Sequence, residues 1–224
     1  MDHSVHSHLS PPKGPVNPMQ PHPSLKMKPE RRGKLFAAAT REFTELGFEQ
    51  ASLNRIIGEV GMSKSSFYHY FTNKTELFQQ IFAQTLAPLA DIANAFQPET
   101  LTKQTFWPAI LTASQGGGEL FTSQPEIFNV GRMFHRNLNE PSGICTDMMQ
   151  APLALVSRLL EHGKVIGTIR DDLPTSLLIE AAMGMGMAID RWAIEHIEAY
   201  SKPEFDAFNE KAMGMFIKVL APED

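Results

Sequence analysis

Two short helices joined by a glycine turn are the feature that most constrains the fold of this chain. They occupy residues 52–74, SLNRIIGEVGMSKSSFYHYFTNK. The first helix carries one apolar stripe with the 3.6-residue period, formed by Leu53, Ile56, Ile57 and Val60. Gly61 gives the backbone freedom that a helix end needs, and Ser63 can cap the next helix. Helices this close in sequence must cross sharply, so the segment predicts a helix-turn-helix.

The second helix divides into a buried and an exposed face. Phe67 and Phe71 lie four residues apart, so we expect both to anchor the helix against the first one. A rotation of about 100° per residue then places Ser65 and His69 on the opposite face, with Ser66 beside them. A polar face of this size fits the major groove of DNA, where Ser and His can meet base edges while Lys and Tyr reach phosphates. The alternative is an ordinary amphipathic helix pair in an all-α core.

A lysine occupies the first turn of the helix that follows. Asn73 can cap this helix, and Glu76 three residues later completes the pattern of a capping box. The positive charge of Lys74 opposes the helix dipole, which favours acidic residues at this end. A bound anion would offset that charge, so the sequence predicts a DNA phosphate beside Lys74.

Residues 31–78 resemble the DNA-binding domain of TetR-family transcriptional regulators. The matching positions are Ala38-Ala39, Phe43, Gly47-Phe48, Ile56-Ile57 and the segment from Gly61 to Lys74. Gly58 and Ser65 depart from the family, which usually has alanine at the first position and frequently has glycine at the second. The resemblance implies that three residues face DNA bases, namely Ser65, Ser66 and His69. It implies phosphate contacts for Ser52, Lys64, Tyr68, Tyr70 and Lys74.

Charge is divided unevenly along the chain. A net charge of −5 would oppose DNA binding if it were uniform, but residues 26–80 carry +3 and residues 81–224 carry −8. This division favours a basic DNA-reading part on an acidic body. A single cysteine excludes an intramolecular disulfide, and no apolar run approaches the ~18 residues of a membrane span. We therefore expect a soluble, cytoplasmic protein with no membrane partner.

The first 28 residues have the composition of a disordered extension. Seven of the 16 prolines fall within residues 1–29, among scattered histidines and serines that cannot form a core. Lys26, Lys28, Arg31 and Arg32 at its end can touch phosphates or the minor groove. A second reading is metal capture, because an amino terminus with His3 in third position can chelate Cu(II) or Ni(II).

Beyond residue 74 the chain reads as helices throughout, so the predicted fold class is all-α. Prolines and glycines separate predicted helices at 75–96, 102–115, 125–139, 147–163, 174–199 and 203–220, and Pro88 is a candidate for a bend in the first of them. The resemblance implies three parts: a disordered extension at 1–28, a helix-turn-helix domain at 29–74, and a ligand-binding and dimerisation domain at 75–224. The last two helices are assigned to a homodimeric four-helix bundle, because residues 181–188 are small and apolar on several faces. The alternative is that they pack within one chain.

Aromatic and methionine residues of the central helices are candidates for lining a ligand pocket. They are Trp107, Phe128, Met133, Phe134, Met148, Met149, Met187 and Trp192. Residues of these types at helical spacing also form ordinary cores. Arg132, His135 and Arg136 can meet an anionic ligand or form a solvated helix face.

The sequence predicts a transcriptional regulator, a repressor that binds a palindromic double-stranded DNA operator as a homodimer and is released by a small-molecule effector. It contains no His-Glu-x-x-His, no Gly-x-Ser-x-Gly and no phosphate-binding glycine loop, so we expect no enzymatic activity, no cofactor and no catalytic metal. The alternative is a small-molecule-binding or enzymatic helical protein that uses its helix-turn-helix for assembly.

Overall fold

A computed structural model describes residues 21–223, apart from the side chains of Thr122 and Ile197. Its α-helices are α1 (Pro29–Gln50), α2 (Leu53–Glu59), α3 (Lys64–Tyr70), α4 (Lys74–Thr85), α5 (Ala87–Ala95), α6 (Phe106–Ser123), α7 (Pro125–Asn137), α8 (Gln150–Val165), α9 (Thr175–His196) and α10 (Lys202–Leu220). Short 3-10 helices cover Pro23–Lys26, Pro98–Thr100, Asp147–Met149 and Ile197–Ala199. The described residues contain no strand, which confirms the all-α prediction.

The N-terminal helices pack around a cluster of phenylalanines. The Phe43 and Phe78 rings meet edge to face with centroids 5.0 Å apart, and the Phe67 and Phe71 rings stack at 5.2 Å. Phe67 of α3 and Phe71 at its C-cap are both almost fully buried, as the sequence predicts. Val130 and Met133 of α7 belong to the same cluster, so residues beyond 74 complete this core.

A kink at Gly47 ends the regular part of α1. Its φ of +79° lies in the left-handed region, and a Cβ there would collide with the carboxylate of Glu140. The positive φ favours glycine at this position, and a Cβ would in addition force the Glu140 side chain to move. The kink turns the last residues of α1 towards Ser52, where α2 begins.

A second core lies between α6, α8, α9 and α10. Its most buried members are Phe106, Leu160, Ile169, Leu178 and Leu220. The cavity described below lies beside this core, and α7 reaches from the cavity to the first core.

The glycine run at residues 116–118 predicts a helix break, but it lies inside α6. A Cβ on Gly118 would lie 2.7 Å from Nδ2 of Asn209 on α10. The Cβ position of Gly116 is 3.6 Å from Ile92 on α5, an ordinary contact distance. The glycine at 118 therefore permits a close helix approach, and this packing outweighs its low helix propensity.

Residues 21–28 are ordered, which corrects their assignment to the disordered extension. Met27 is 2% exposed, Ser24 is fully buried, and His22 Nε2 lies 2.9 Å from Oε1 of Glu76 on α4. Ser24 also accepts a hydrogen bond from Gln84. One buried methionine, one buried serine and one histidine thus hold this proline-rich segment against the helices, which supply the apolar surface. The predicted extension before residue 21, with the chelating His3, lies outside the described residues.

Candidate DNA-binding surface and ligand cavity

Helix α3 is set against α2 by local backbone and capping interactions. Gly61 adopts a φ of +61°, and the Met62 N–H donates to the Ile57 carbonyl at 2.8 Å. Ser63 Oγ then accepts from the Ser66 N–H at 3.2 Å and caps α3. The buried Phe67 fixes the rotation of α3 about its own axis.

One side of α3 remains in solvent. Lys64, Ser65, Tyr68 and His69 are exposed, and Tyr68 is exposed to 51% although it is a large side chain. Ser66 and Tyr70 are half-buried. The structure thus brings six of the predicted contact residues together on one seven-residue helix, with both hydroxyl and imidazole groups available.

Ser52 lies on a different element from the α3 residues. It is the N-cap of α2, where its hydroxyl accepts a long hydrogen bond of 3.4 Å from the Arg55 N–H. Its own N–H donates to Glu42 Oε1 at 2.8 Å. The hydroxyl proton remains free to donate to a phosphate.

The ammonium of Lys74 has hydrogen-bond partners within the protein. Its ammonium donates to the carbonyls of Phe48, Glu49 and Ala51, at 2.6, 3.4 and 3.0 Å, and lies 4.6 Å from the centre of the Phe48 ring. These carbonyls form the C-terminal end of α1, which attracts cations. The three donors of the ammonium are all used, so Lys74 fastens α4 to α1.

Arg31 extends the α3 surface, whereas the sequence predicts for it only the contacts of an N-terminal arm. It is exposed on the first turn of α1, and its Nη2 lies 3.3 Å from Ser66 Oγ. Its basic character was visible in the sequence, but its proximity to α3 depends on how α1 crosses the helix pair. Lys26 and Lys28 are exposed just before α1.

An apolar cavity of about 490 Å³ is enclosed by residues of helices α4 to α10. Five of the predicted residues line it, namely Trp107, Phe134, Met148, Met149 and Met187. Much of the remaining lining was not singled out in the sequence and includes Phe106, Phe121, Ile127, Leu159, Met183, Met213 and Phe216.

Three predicted ligand residues do not line this cavity. Met133 is fully buried and packs in the core against α1. Phe128 carries the guanidinium of Arg132 at 4.6 Å from its ring centre and lines two smaller cavities. Trp192 is 37% exposed and stacks on His196 and Phe208. Helical periodicity predicts which face of a helix is buried, but it does not distinguish a buried position in the core from one that lines a cavity.

The basic residues of α7 are paired with acidic residues. Arg132 contacts Glu198 at 3.0 Å, Arg136 contacts Glu140 at 3.4 Å, and His135 Nε2 contacts Asp190 Oδ2 at 2.7 Å. None of the three lines the main cavity. An anionic ligand there would find no cationic side chain in the described lining.

Cys145 is a buried thiol. It is 1% exposed, its Sγ lies 3.9 Å from the Phe134 carbonyl, and burial raises the pKa of the thiol to about 11. A high pKa leaves little of the reactive thiolate at neutral pH.

Within residues 21–223, no group of three or more His, Cys, Asp or Glu side chains is placed to hold a metal ion. No helix of that part of the chain has the length and apolar character needed to cross a membrane.

Comparison with known proteins places the helix-turn-helix in a family. A model described as bacterial regulatory proteins, tetR family, matches residues 35–81. The uncharacterized HTH-type transcriptional regulator YdgC of Bacillus subtilis (strain 168) is 23% identical over 163 residues, which cover 70% of this chain and 77% of YdgC.

Two solved structures have the same fold over most of this chain. NalD, the secondary repressor of the MexAB-OprM multidrug efflux pump in Pseudomonas aeruginosa, has a TM-score of 0.65 and 16% identity, covering 87% of this chain and 98% of NalD. SmeT, in a complex with triclosan, has a TM-score of 0.65 and 16% identity, covering 87% of this chain and 93% of SmeT.

Proposed function

We propose that this chain is a TetR-family transcriptional regulator, a homodimeric repressor that binds a palindromic operator and is released by a small-molecule effector. The observation that carries the proposal is the exposed face of α3: Ser65, Tyr68 and His69 lie in solvent, while Phe67 and the C-cap residue Phe71 are buried. The exposed face of such a helix can enter the major groove while its buried face stays packed in the domain.

We assign base contacts to Ser65, Ser66 and His69, and phosphate contacts to Ser52, Lys64, Tyr68 and Tyr70. Arg31 joins the phosphate or minor-groove contacts, because it lies beside Ser66. Lys74 is left out of this set, because its donors bind α1.

The proposed dimer uses the outer faces of α9 and α10. Large apolar side chains are exposed there, namely Leu177, Trp192, Met215, Ile217 and Val219. Gly184 and Gly214 have open space at their Cβ positions, so another helix can approach closely. A two-fold axis between such faces would set two α3 helices about one DNA turn apart.

The proposed effector site is the main cavity. Its volume falls in the ordinary range of small-molecule sites, about 300–1,000 Å³. NalD is named a repressor and SmeT was solved with triclosan, which support repression and effector binding for this chain as well. We place the protein in the cytoplasm, where its DNA partner lies.

The proposal is tested by binding to DNA from the region upstream of its own gene. We expect a complex that survives competition with random DNA at moderate salt, with two protomers per palindromic site. Fluorescence anisotropy and a sequence selection from a random pool measure both properties. Equal affinity for random and selected DNA would contradict it.

His69→Ala provides the sharper variant. The substitution removes an exposed side chain that we assign to base contacts. We expect the discrimination between the preferred and other base pairs at that position to fall by about 1–3 kcal/mol. The melting temperature should not change. Phe67→Ala is the control for folding, because it empties a fully buried site and should destabilise the domain by about 3–5 kcal/mol. An unchanged sequence preference in the His69 variant would remove His69 from the base-reading set.

A further inference from the structure

The main cavity contains one charged residue. Its lining is aromatic and aliphatic except for Asp190, which lies on α9 one turn after Gly186. Asp190, Gly186 and Phe121 also line a second cavity of about 200 Å³, whose other polar residues are Ser114 and Asn209. Asp190 therefore stands where an apolar chamber meets a smaller, more polar one.

The carboxylate of Asp190 is only partly used by the protein. Oδ2 accepts from His135 Nε2 at 2.7 Å, and among the described residues Oδ1 has no further hydrogen-bond partner. The Asp190 side chain is 40% exposed, against 11% for His135. One oxygen is thus held in place by His135 while the other can accept a hydrogen bond from a ligand.

The cavity offers further stabilisation to a positive charge and none to a negative one. Six aromatic side chains line it, from Phe82, Phe106, Trp107, Phe121, Phe134 and Phe216, and ring faces attract cations. Neither chamber has a lysine or arginine in its described lining. Arg132 of α7, which follows Gly131 of the cavity lining, is paired with Glu198 and lies over the Phe128 ring.

We propose that the effector is a lipophilic amine. Its apolar body fills the main cavity, and its protonated nitrogen donates to Asp190 at the junction with the smaller chamber. The inference rests on the proposed role of the cavity as the effector site, and it specifies the chemical class that this site selects.

Three probes of one chain length separate the head groups: dodecylamine, dodecanol and dodecanoate. Isothermal titration calorimetry below their aggregation concentrations gives the dissociation constant of each with the full chain. We expect dodecylamine to bind about tenfold more tightly than dodecanol, because it gains a charge-assisted hydrogen bond. Dodecanoate should bind more weakly than dodecanol.

Two matched variants locate the effect. Asp190→Asn keeps the size of the side chain and removes its charge, so the amine should lose about tenfold in affinity while the alcohol binds as before. Retained alcohol binding also reports that the variant is folded. Glu195→Gln removes the same charge from an exposed position of α9 outside both chambers and should leave all three affinities unchanged.

Equal binding of amine and alcohol, tighter binding of dodecanoate, or an Asp190→Asn variant with full amine affinity would each overturn the proposal. If dodecanol still releases operator DNA in those cases, the regulator function stands without the amine preference. Failure of all three probes to bind would overturn the amine proposal and also remove the cavity as an effector site.

Discussion

Lys74 places a positive charge in the first turn of α4, where the helix dipole opposes it. The cost is offset within the protein, because the ammonium donates to three carbonyls at the C-terminal end of α1. A lysine in the first turn of one helix can cap the C-terminal end of another helix or bind a phosphate. The sequence pattern is the same in both cases. Only the three-dimensional course of α1 distinguishes the two roles.

Replacement of Lys74 and Lys64 by methionine separates these roles. Lys74→Met leaves carbonyls at the α1 end without their donor, so we expect a loss of about 1–3 kcal/mol in the free energy of unfolding, measured by urea denaturation. Lys64→Met, at an exposed position of α3, should keep the stability, weaken binding to all DNA sequences, and reduce the salt slope by about one. A stable Lys74→Met variant with the reduced salt slope would return Lys74 to the phosphate contacts.

Cys145 should be unreactive in the folded protein. Burial raises the pKa of its thiol to about 11, so the thiolate is scarce at neutral pH and increases only as the pH approaches that value. We expect slow alkylation by iodoacetamide at neutral pH, measured by mass spectrometry. The chain unfolded in guanidinium is the control and should react rapidly. Fast alkylation of the folded chain would show that the loop around Cys145 opens.

At the scale of elements, α7 links the cavity to the DNA-binding helices. Ile127, Gly131 and Phe134 of α7 line the cavity. At the C-terminal end of the same helix, Asn137 is buried and donates to the Phe43 carbonyl at 3.1 Å, while its oxygen accepts from the Phe48 N–H. These two bonds lie on either side of the Gly47 kink. A ligand that shifts α7 therefore acts on the end of α1, beside the start of α2.

Asn137→Leu tests this contact between α7 and α1. It removes the acceptor of the Phe48 N–H and a donor to the Phe43 carbonyl, and the unpaired N–H costs about 1–3 kcal/mol, so the melting temperature should fall clearly. In the folded fraction, we expect effector binding to release less operator DNA, measured by anisotropy at saturating effector. Asn129→Leu on the exposed side of α7 is the control. If effector binding still released all operator DNA from the Asn137 variant, the Asn137 contacts with α1 would play no part in coupling the cavity to DNA binding.

The elements differ in how far sequence determines them. The caps of α2, α3 and α4 depend on Ser52, Ser63 and Asn73, each bonded within three residues, so local patterns predict them. The Gly118 position in α6 could not be predicted, because its reason is the approach of Asn209 from α10, 91 residues away along the chain. The same limit applies to the cavity lining. Whether the side chain of Met133 or Trp192 lines the cavity depends on which helices pack beside that residue.

For the whole molecule, charge and apolar surface are separated along the chain. Residues 26–80 carry +3 and residues 81–224 carry −8, so the field of the protein turns the basic end towards DNA. The exposed apolar residues of α9 and α10 lie in the acidic part, on elements that contribute nothing to the α3 surface. Association through α9 and α10 would therefore leave both DNA-binding surfaces free.

Met215→Asp tests that association. Met215 is 51% exposed on α10, so an aspartate there costs little in an isolated protomer but would place a charge in the apolar centre of the proposed dimer. We expect a shift from dimer to monomer in analytical ultracentrifugation at micromolar concentration. Operator affinity should fall by several kcal/mol, because two linked helices no longer bind together. Val165→Asp is the matched control, since Val165 is 84% exposed at the end of α8, outside the proposed interface. A Met215 variant that remains dimeric would place the interface on another face.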